Sequence, residues 1–172
     1  MDSARLAETL GYDGFAVGER HEDPFLSSAP PVVLSHIAAL TSRIALFTGV
    51  TTLSLLDPVR AAEDYATLDN LSGGRLELIV GKGNGAAQAK LFHVTTADQW
   101  DRNREGYELF RQLWRSDDVT WTKPAARSPG NSVRRRSSRR WRTSSSAVRP
   151  SSAARSRCST SWGVITRGWA TR

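Results

Sequence analysis

Residues 76–85 read LELIVGKGNG, a short apolar run followed at once by a loop that contains three glycines. The apolar part, residues 76–80, is flanked by glycines, which is typical of a strand buried on both faces of a parallel sheet. The loop glycines let the backbone turn and leave N–H groups accessible, and Lys82 adds a positive charge. Because residues 86–91 can continue as a helix, the stretch indicates an anion-binding turn between a strand and a helix.

The sequence before this stretch repeats the same order of strand, loop and helix. The predicted elements are a helix that ends at Gly11, a strand at 14–18, a helix at 32–40, a strand at 44–53, a helix at 58–71, the strand that starts at Leu76, a helix at 86–91 and a helix at 99–114. Strands that alternate with helices favour a parallel sheet with right-handed crossovers. Both an open doubly wound sheet and a (β/α) barrel fit this order.

Several of these helices have start signals. Prolines at 30–31 suit a first helical turn, and Asp57 precedes a proline in the way that an N-cap residue does. Thr96 and Gln99 have the spacing of a capping box.

The charge divides the chain into two regions. Of its 172 residues, the first 122 hold 11 Lys and Arg against 17 Asp and Glu, whereas residues 123–172 hold 13 Lys and Arg and no acidic residue. We therefore predict a folded domain at 1–122 and a disordered, basic Arg/Ser-rich tail at 123–172. The tail fits either a nucleic-acid-binding arm that contacts phosphates or an out-of-frame translation of a GC-rich gene.

Cysteine content and hydropathy indicate the compartment. The single cysteine, Cys158, excludes an intrachain disulfide. No apolar run approaches the roughly 20 residues that cross a bilayer, and the first residues lack the continuous apolar core of a signal peptide. These features predict a cytoplasmic protein without a membrane partner.

The glycine loop also matches a second motif. Residues 81–86 satisfy the G-x-G-x-x-A form of a dinucleotide-binding turn. That motif requires an acidic residue at the end of a second strand about 20 positions later. Asp98 and Asp101 lie at that distance but at the start of a predicted helix, so an NAD(P)-binding open sheet is the weaker alternative.

Polar residues follow two of the predicted strands. Ligands of parallel α/β folds lie at the carboxyl ends of the strands, which puts Glu19, Arg20 and His21 at a functional edge. A solvated polar loop fits this cluster equally well. The hydroxyls of Thr48 and Thr51 could contact a ligand or satisfy backbone groups. No set of Cys, His and carboxylate residues has metal-ligand spacing, so we predict no metal site.

Five short motifs carry a family resemblance. They are LGYD at 10–13, ERH at 19–21, TSRI at 41–44, DPVR at 57–60 with Ala62 and Glu63, and LD at 68–69 continuing to SGGR at 72–75. Over about residues 3–122 the chain resembles the bacterial-luciferase-like flavin-dependent oxidoreductases and monooxygenases. The resemblance implies a TIM barrel that binds reduced FMN, or in one branch a deazaflavin, at the carboxyl ends of its strands.

The resemblance also implies roles for particular residues. Those expected to contact the flavin ring are Thr48, Gly49, Val50 and Thr51, and those expected on its phosphate side are Gly81, Lys82 and Gly83. The family's Glu-His-His loop corresponds here to residues 19–21. Arg20 therefore stands at the first histidine position and His21 at the second, and both are candidate catalytic residues of a general oxidoreductase.

The resemblance covers only part of the family's barrel. We expect about three of the eight strands with their helices, followed by the basic tail. This implies a truncated or frameshifted, inactive copy of a flavin-dependent enzyme whose relatives use O₂ or another small molecule as second substrate. A homo-oligomer is compatible with this reading. A nucleic-acid-binding protein that acts through its tail is the alternative.

Overall fold

The computed structural model describes residues 2–25, 27–83, 85–122, 132–136 and 164–165. Its helices are α1 (Asp2–Thr9), α2 (Pro30–Leu40), α3 (Pro58–Leu71), α4 (Ala86–Leu91) and α5 (Gln99–Arg115). Its strands are β1 (Gly14–Val17), β2 (Ala45–Thr48), β3 (Thr51–Thr52), β4 (Leu76–Gly81), β5 (Asp118–Thr122), β6 (Ser132–Arg136) and β7 (Val164–Ile165). The predicted alternation of strands and helices is confirmed.

A parallel sheet forms the centre of the domain. β1 pairs with β2 from Gly14↔Ala45 to Val17↔Thr48, and β2 pairs with β4 at Leu46↔Leu76. β3 also pairs with β4 in parallel, at Thr51↔Val80. β2 and β3 therefore act as one interrupted strand, and three parallel strand lines are present in the described part of the chain.

The interruption between β2 and β3 is a one-residue bulge. From Leu46 to Thr51 the chain advances five residues, whereas its partner advances four, from Leu76 to Val80. The extra residue lies in the segment 48–50, which includes a cis peptide bond between Gly49 and Val50. The single strand predicted at 44–53 is thus divided in two by the kind of bulge that redirects side chains near binding sites.

The two faces of the sheet differ in how they are covered. Leu46, Leu76 and Leu78 are buried and pack with residues of the helices in one hydrophobic core. On the opposite face Ala16 is exposed and Phe47 is half-buried. Since successive strand residues point to opposite faces, the helices cover one face, and the less covered face is the one that a closed barrel would enclose.

The amino-terminal edge of the sheet is held by Arg75, which starts the turn into β4. Its guanidinium donates hydrogen bonds to the carbonyls of Ala38, Thr41, Ile44 and Ser72 at 2.8–3.2 Å, and to the Thr41 hydroxyl at 2.9 Å. These acceptors belong to the ends of α2 and α3 and to the residue before β2. One side chain therefore satisfies carbonyl groups that helix ends leave without partners.

Glu8 fixes α1 to the same edge. Its carboxylate accepts hydrogen bonds from the backbone N–H groups of Ile44 at 2.8 Å, Arg43 at 2.6 Å and Ser42 at 3.1 Å. The N–H groups of Ile44 and Arg43 hold the pKa of Glu8 below its ordinary value, because they stabilise the ionised form. The turn before β2 thus depends on a charged side chain of α1.

The helix start signals had different outcomes. Asp57 caps α3 as predicted, with its carboxylate accepting from Val59 N–H and Arg60 N–H at 2.9 Å each. The capping box predicted at residues 96 and 99 is wrong. α5 begins after Asp98, and the reciprocal hydrogen bonds join Asp98 to Thr95 one residue earlier. Asp98 therefore precedes a helix and not a strand end, contrary to the requirement of a dinucleotide-binding sheet.

Most of the predicted tail at 123–172 lies outside the described residues. Two short segments of it are strands that the sequence did not predict: β6 pairs antiparallel with β5, and β7 pairs antiparallel with Leu78 and Ile79 of β4. The domain boundary at residue 122 stays a prediction. Among the described residues, no helix combines the length and apolar character needed to cross a membrane.

We predict that the Glu8 contact makes stability depend on pH. The folded state lowers the pKa of Glu8 below 4.5, so its stabilisation is complete above pH 4.5 and is lost as the pH falls through the lowered pKa. In urea unfolding, Glu8→Gln should be less stable than the unchanged chain near neutral pH, and the difference should shrink under acidic conditions.

The control is Asp117→Asn, which removes an exposed carboxylate outside this contact. It should not reproduce the pH-dependent difference. A Glu8→Gln effect of equal size at neutral and strongly acidic pH would contradict the assigned role of Glu8.

We also predict that Arg75→Lys destabilises the domain. A lysine cannot reproduce the forked guanidinium contacts, so carbonyl groups lose their donors, at a cost of about 2 kcal/mol or more in the free energy of unfolding. Arg60→Lys is the matched control, because Arg60 is 72% exposed and pairs with Glu63 and Asp64 at the surface. Such pairs contribute about 1 kcal/mol or less to stability. Equal losses of unfolding free energy in the two variants would therefore argue against the stabilising role of the Arg75 hydrogen bonds.

Candidate functional site

The carboxyl ends of two strand lines meet through Glu19, which follows β1 and reaches β3. The Glu19 side chain is only 1% exposed. Its Oε1 lies 3.2 Å from His21 Nε2, and its Oε2 accepts a hydrogen bond from Thr52 N–H at 3.1 Å. A single buried carboxylate therefore joins the loop after β1 to β3.

His21 is held on a second side by an aromatic ring. The ring of Phe92, which follows α4, meets the imidazole edge-on with 4.8 Å between centroids. The His21 side chain is 12% exposed. The predicted candidate is therefore an ordered, largely buried imidazole at the carboxyl edge.

Arg20 lies apart from this arrangement. Its guanidinium is 3.5 Å from the carboxylate of Glu22 and stacks over the ring of Phe25 at 4.7 Å. Its backbone N–H donates to Ser27 within the same loop. These contacts fit a structural role in the loop, and the catalytic role expected of Arg20 stays a prediction.

The threonine hydroxyls predicted at the ring side are used inside the protein. Thr48 Oγ1 both accepts from Ile79 N–H at 3.0 Å and donates to Ile79 O at 3.2 Å. This hydroxyl takes the place of backbone pairing where the bulge moves β2 away from β4. Of the two roles left open for Thr48, its contacts favour satisfying the backbone.

Thr51 contacts a buried tyrosine. Its hydroxyl donates to the hydroxyl oxygen of Tyr65 in α3 at 2.9 Å. Burial raises the pKa of Tyr65 far above its ordinary value, and the nearby charges of Glu19 and Asp64 act in the same direction, against the effect of the Thr51 hydrogen bond. Tyr65 is therefore a neutral phenol at physiological pH.

Gly49 and Val50 are the ring-side candidates that remain at the surface. Gly49 is exposed, and a Cβ atom placed on it would have Ala16 Cβ as its nearest neighbour, at 3.8 Å. Ala16 is itself exposed. These residues form a ledge of small groups, which we call the 16/49 ledge, at the carboxyl end of the less covered sheet face.

The position of the glycine loop is fixed by its packing against residues 50–52. A Cβ atom on Gly81 would lie 2.8 Å from Val50 Cγ2, and one on Gly83 would lie 2.9 Å from Thr52 Cγ2. Gly83 also has a positive φ of 74°, which side chains disfavour. Glycine is therefore required at 81 and 83, and the loop is brought against residues 50–52.

Lys82 is the cation of this loop. Its ammonium donates to Gly83 O at 2.8 Å and lies 5.4 Å from the ring centroid of Trp100. Ser54 donates to the Lys82 carbonyl at 2.6 Å, which anchors the loop to the residues after β3. The ammonium thus stays beside its own loop and the ring of Trp100.

Gln88 supplies an unpaired donor near this loop. It is 2% exposed, and its Nε2 is buried without a hydrogen-bond partner. Its Oε1 would lie 3.1 Å from a Cβ atom on Gly85, so the amide sits directly beside the loop. The oxygen end of the amide therefore lies against the loop, and the nitrogen is a buried donor without an acceptor among the described residues, an exception to the usual pairing of buried donors.

The structure also has a groove of about 660 Å³ between α2 and α3. Glu19 and Tyr65 reach its inner end, and Pro31, Arg60 and Asp64 are among the residues along its length. None of the residues predicted to contact the flavin lines this groove. It is a separate feature on the helical side of the sheet.

Sequence reasoning missed several residues of this edge. Glu19 was placed at the edge, but its burial and its bond to Thr52 depend on a contact between residues 33 positions apart. Phe92 and Trp100 had no local signal that tied them to His21 and Lys82. Only the succession of strands and loops pointed to this region.

A parallel sheet with helices on one face and polar and glycine-rich turns at the carboxyl ends of its strands is the arrangement of one wall of an α/β barrel. The family model of the luciferase-like monooxygenases matches residues 1–155. The chain belongs to the luciferase-like monooxygenase family. The match extends beyond residue 122, where the resemblance noted in the sequence ends.

Relatives share the sequence over limited lengths. The N-acetyl-S-alkylcysteine monooxygenase of Bacillus subtilis (strain 168) is 40% identical over 86 residues, which are 49% of this chain and 26% of that protein. The chain spans between 25% and 35% of the length of three curated relatives that it matches.

Solved structures match the fold. Monooxygenase RslO1 from Streptomyces bottropensis matches with a TM-score of 0.71 and 27% identity, over 79% of this chain and 41% of that one. The oxygenating constituent of 3,6-diketocamphane monooxygenase from Pseudomonas putida, solved with FMN, has a TM-score of 0.68 and 19% identity, over 75% and 36%. A secondary alcohol dehydrogenase dependent on F420, a deazaflavin, has a TM-score of 0.63 and 22% identity, over 79% and 42%. The expected fold, part of a TIM barrel, is confirmed.

We predict that Thr48→Val destabilises the sheet at the bulge. Valine has the same shape but leaves the N–H and carbonyl of Ile79 without their partner, at a cost of about 1–3 kcal/mol in the free energy of unfolding. Urea unfolding measures the change. Thr67→Val is the control, because the Thr67 hydroxyl donates to Glu63 O at an exposed position of its own helix. If Thr48→Val lowers the free energy of unfolding no more than Thr67→Val does, the role of the Thr48 hydroxyl as the partner of the Ile79 backbone is contradicted.

Proposed function

We propose that this chain supplies one wall of a flavin site and that the whole protein is a flavin-dependent oxidoreductase or monooxygenase. The observation that carries the proposal is the 16/49 ledge, with Val50 beside it, at the carboxyl end of the less covered sheet face. Small residues there leave room for a flat ring system to lie against the strand ends. Family membership makes reduced FMN the expected ring system.

The phosphate side of the proposed site is the loop at 81–85. Lys82 offers a point charge, and the Gln88 amide offers a buried donor that lacks an acceptor. Both groups suit an anion. Because packing against residues 50–52 fixes the loop, the ring side and the phosphate side are joined by direct contact.

The bound flavin would supply the redox chemistry, which protein side chains cannot perform themselves. The roles we assign to this chain are to support the ring at the ledge, to hold the phosphate near Lys82 and to present the His21 imidazole at the same edge. The second substrate, O₂ or another small molecule, belongs to the whole protein's activity.

The three strand lines cannot enclose a cofactor by themselves. A barrel of this kind closes with eight strands, and the described residues leave one sheet face less covered. We therefore propose that this chain alone binds flavin weakly and does not sustain turnover, in line with the inactive copy expected from the sequence.

A flavin titration of the full chain tests the proposal. Lys82→Gln should weaken FMN binding about five- to tenfold, because a charged contact with the phosphate is lost, while riboflavin binding should stay unchanged. Quenching of flavin fluorescence measures both affinities. Lys90→Gln is the control, since Lys90 is an exposed lysine of the neighbouring helix α4.

Two results would overturn the proposal. One is the absence of FMN and riboflavin binding at high micromolar flavin, and the other is an equal effect of Lys82→Gln on both flavins. A parallel titration with F420 distinguishes the cofactors, since tighter binding of F420 than of FMN would favour the deazaflavin alternative.

The nucleic-acid-binding alternative depends on the basic segment 123–172, most of which lies outside the described residues. Its support is the segment's 13 Lys and Arg without an acidic residue. DNA binding that weakens steeply with salt and disappears when this segment is deleted would favour it. The family match supports the flavin-dependent function over this alternative.

A further inference from the structure

The hydrogen bonds of Glu19 restrict where the proton of His21 can lie. An ionised carboxylate only accepts hydrogen bonds, and one oxygen of Glu19 is already used by Thr52 N–H. The other oxygen faces His21 Nε2 at 3.2 Å. For that contact to be a hydrogen bond, Nε2 must carry a proton.

We propose that Glu19 is a positioning residue that fixes the tautomer of His21. With Nε2–H donating to Glu19, the neutral imidazole has Nδ1 as its acceptor nitrogen. The nitrogen of His21 that is not bound to Glu19 is therefore a hydrogen-bond acceptor and not a donor. The relevance of this tautomer to catalysis rests on the proposed function. The tautomer itself is a property of the protein without flavin.

Two contacts hold the imidazole in this arrangement, and a third fixes one of the contacting groups. The carboxylate that binds Nε2 is itself fixed by the backbone of Thr52, and Phe92 meets the ring edge-on. At 1% exposure for Glu19 and 12% for His21, water has little access to replace these partners. A half-turn of the ring about the Cβ–Cγ bond would put Cε1 where Nε2 lies, bring a carbon atom against the buried carboxylate oxygen and break the hydrogen bond.

Glu19→Gln should reverse the tautomer. Glutamine has the shape of glutamate but offers one carbonyl oxygen and one NH₂ group. The Thr52 N–H requires the oxygen as acceptor, so the NH₂ group faces His21 Nε2. Nε2 must then be unprotonated to accept that hydrogen bond, and the ring proton moves to Nδ1.

The experiment is ¹⁵N NMR of the full chain with labelled histidines and without flavin. The chemical shifts of the two ring nitrogens report which one carries the proton. Spectra are recorded above the pH range in which histidines ordinarily titrate, so that the rings are neutral. The chain has three histidines, and His21→Asn identifies the His21 signals by their loss.

The expected result is an Nε2–H tautomer for His21 in the unchanged chain and an Nδ1–H tautomer in Glu19→Gln. Glu19→Asp, which keeps two acceptor oxygens, should retain the Nε2–H form. Glu22→Gln is the matched control, because Glu22 is in the same loop and pairs with Arg20. The control should leave the His21 shifts unchanged.

An Nδ1–H tautomer in the unchanged chain would overturn the inference, and so would identical His21 shifts in Glu19→Gln. The first of these outcomes needs only His21→Asn to assign the signals and no substitution of the buried Glu19, so the test holds even where Glu19→Gln prevents folding. A purely structural role of Glu19 would alter stability without exchanging the protonated nitrogen.

The flavin titrations separate this inference from the proposed function. Loss of flavin binding with the expected tautomers would contradict the function and leave the positioning role intact. Flavin binding with the opposite tautomer would contradict the positioning role and leave the proposed function intact.

Discussion

Five hydrogen bonds from the Arg75 guanidinium hold the amino-terminal edge of the sheet, and the arrangement of the carboxyl edge depends on them. In a parallel sheet with helical crossovers, helices end and strands begin at that edge, which leaves carbonyl groups without partners. Arg75 donates to carbonyl groups there, and the Glu8 carboxylate accepts from backbone N–H groups of the turn before β2. The register set there fixes which residues emerge together at the carboxyl edge, where the flavin is proposed to bind.

The different roles of the two edges of the sheet explain part of the family resemblance. The motif at 72–75 ends in Arg75, and its glycines Gly73 and Gly74 both have positive φ angles. Its residues therefore serve the turn into β4 rather than the chemistry. By contrast, the short motif at 19–21 lies at the carboxyl edge and contains both Glu19 and His21. A motif can thus be specific for a family because of folding in one place and because of its site in another.

The sequence predicted what depends on near neighbours in the chain. Alternation of strands and helices, the cap at Asp57 and the glycine turns follow local rules, and the structure agrees with them. The Thr48 bond to Ile79 and the Glu19 bond to Thr52 join residues more than 30 positions apart, and no local pattern encodes them. For the same reason the sequence grouped Arg20 with His21, although their side chains have different partners.

The bulge at 48–50 has a consequence for how related chains should be compared. One additional residue separates the two halves of the interrupted strand. The number of residues in this segment therefore matters as much as their side chains. Deleting a single residue would reverse the alternation of everything that follows in β3. If a sequence alignment of two chains that share this bulge places a one-residue gap here, the residues after the gap are shifted by one. Inward-facing residues of one chain are then aligned with outward-facing residues of the other.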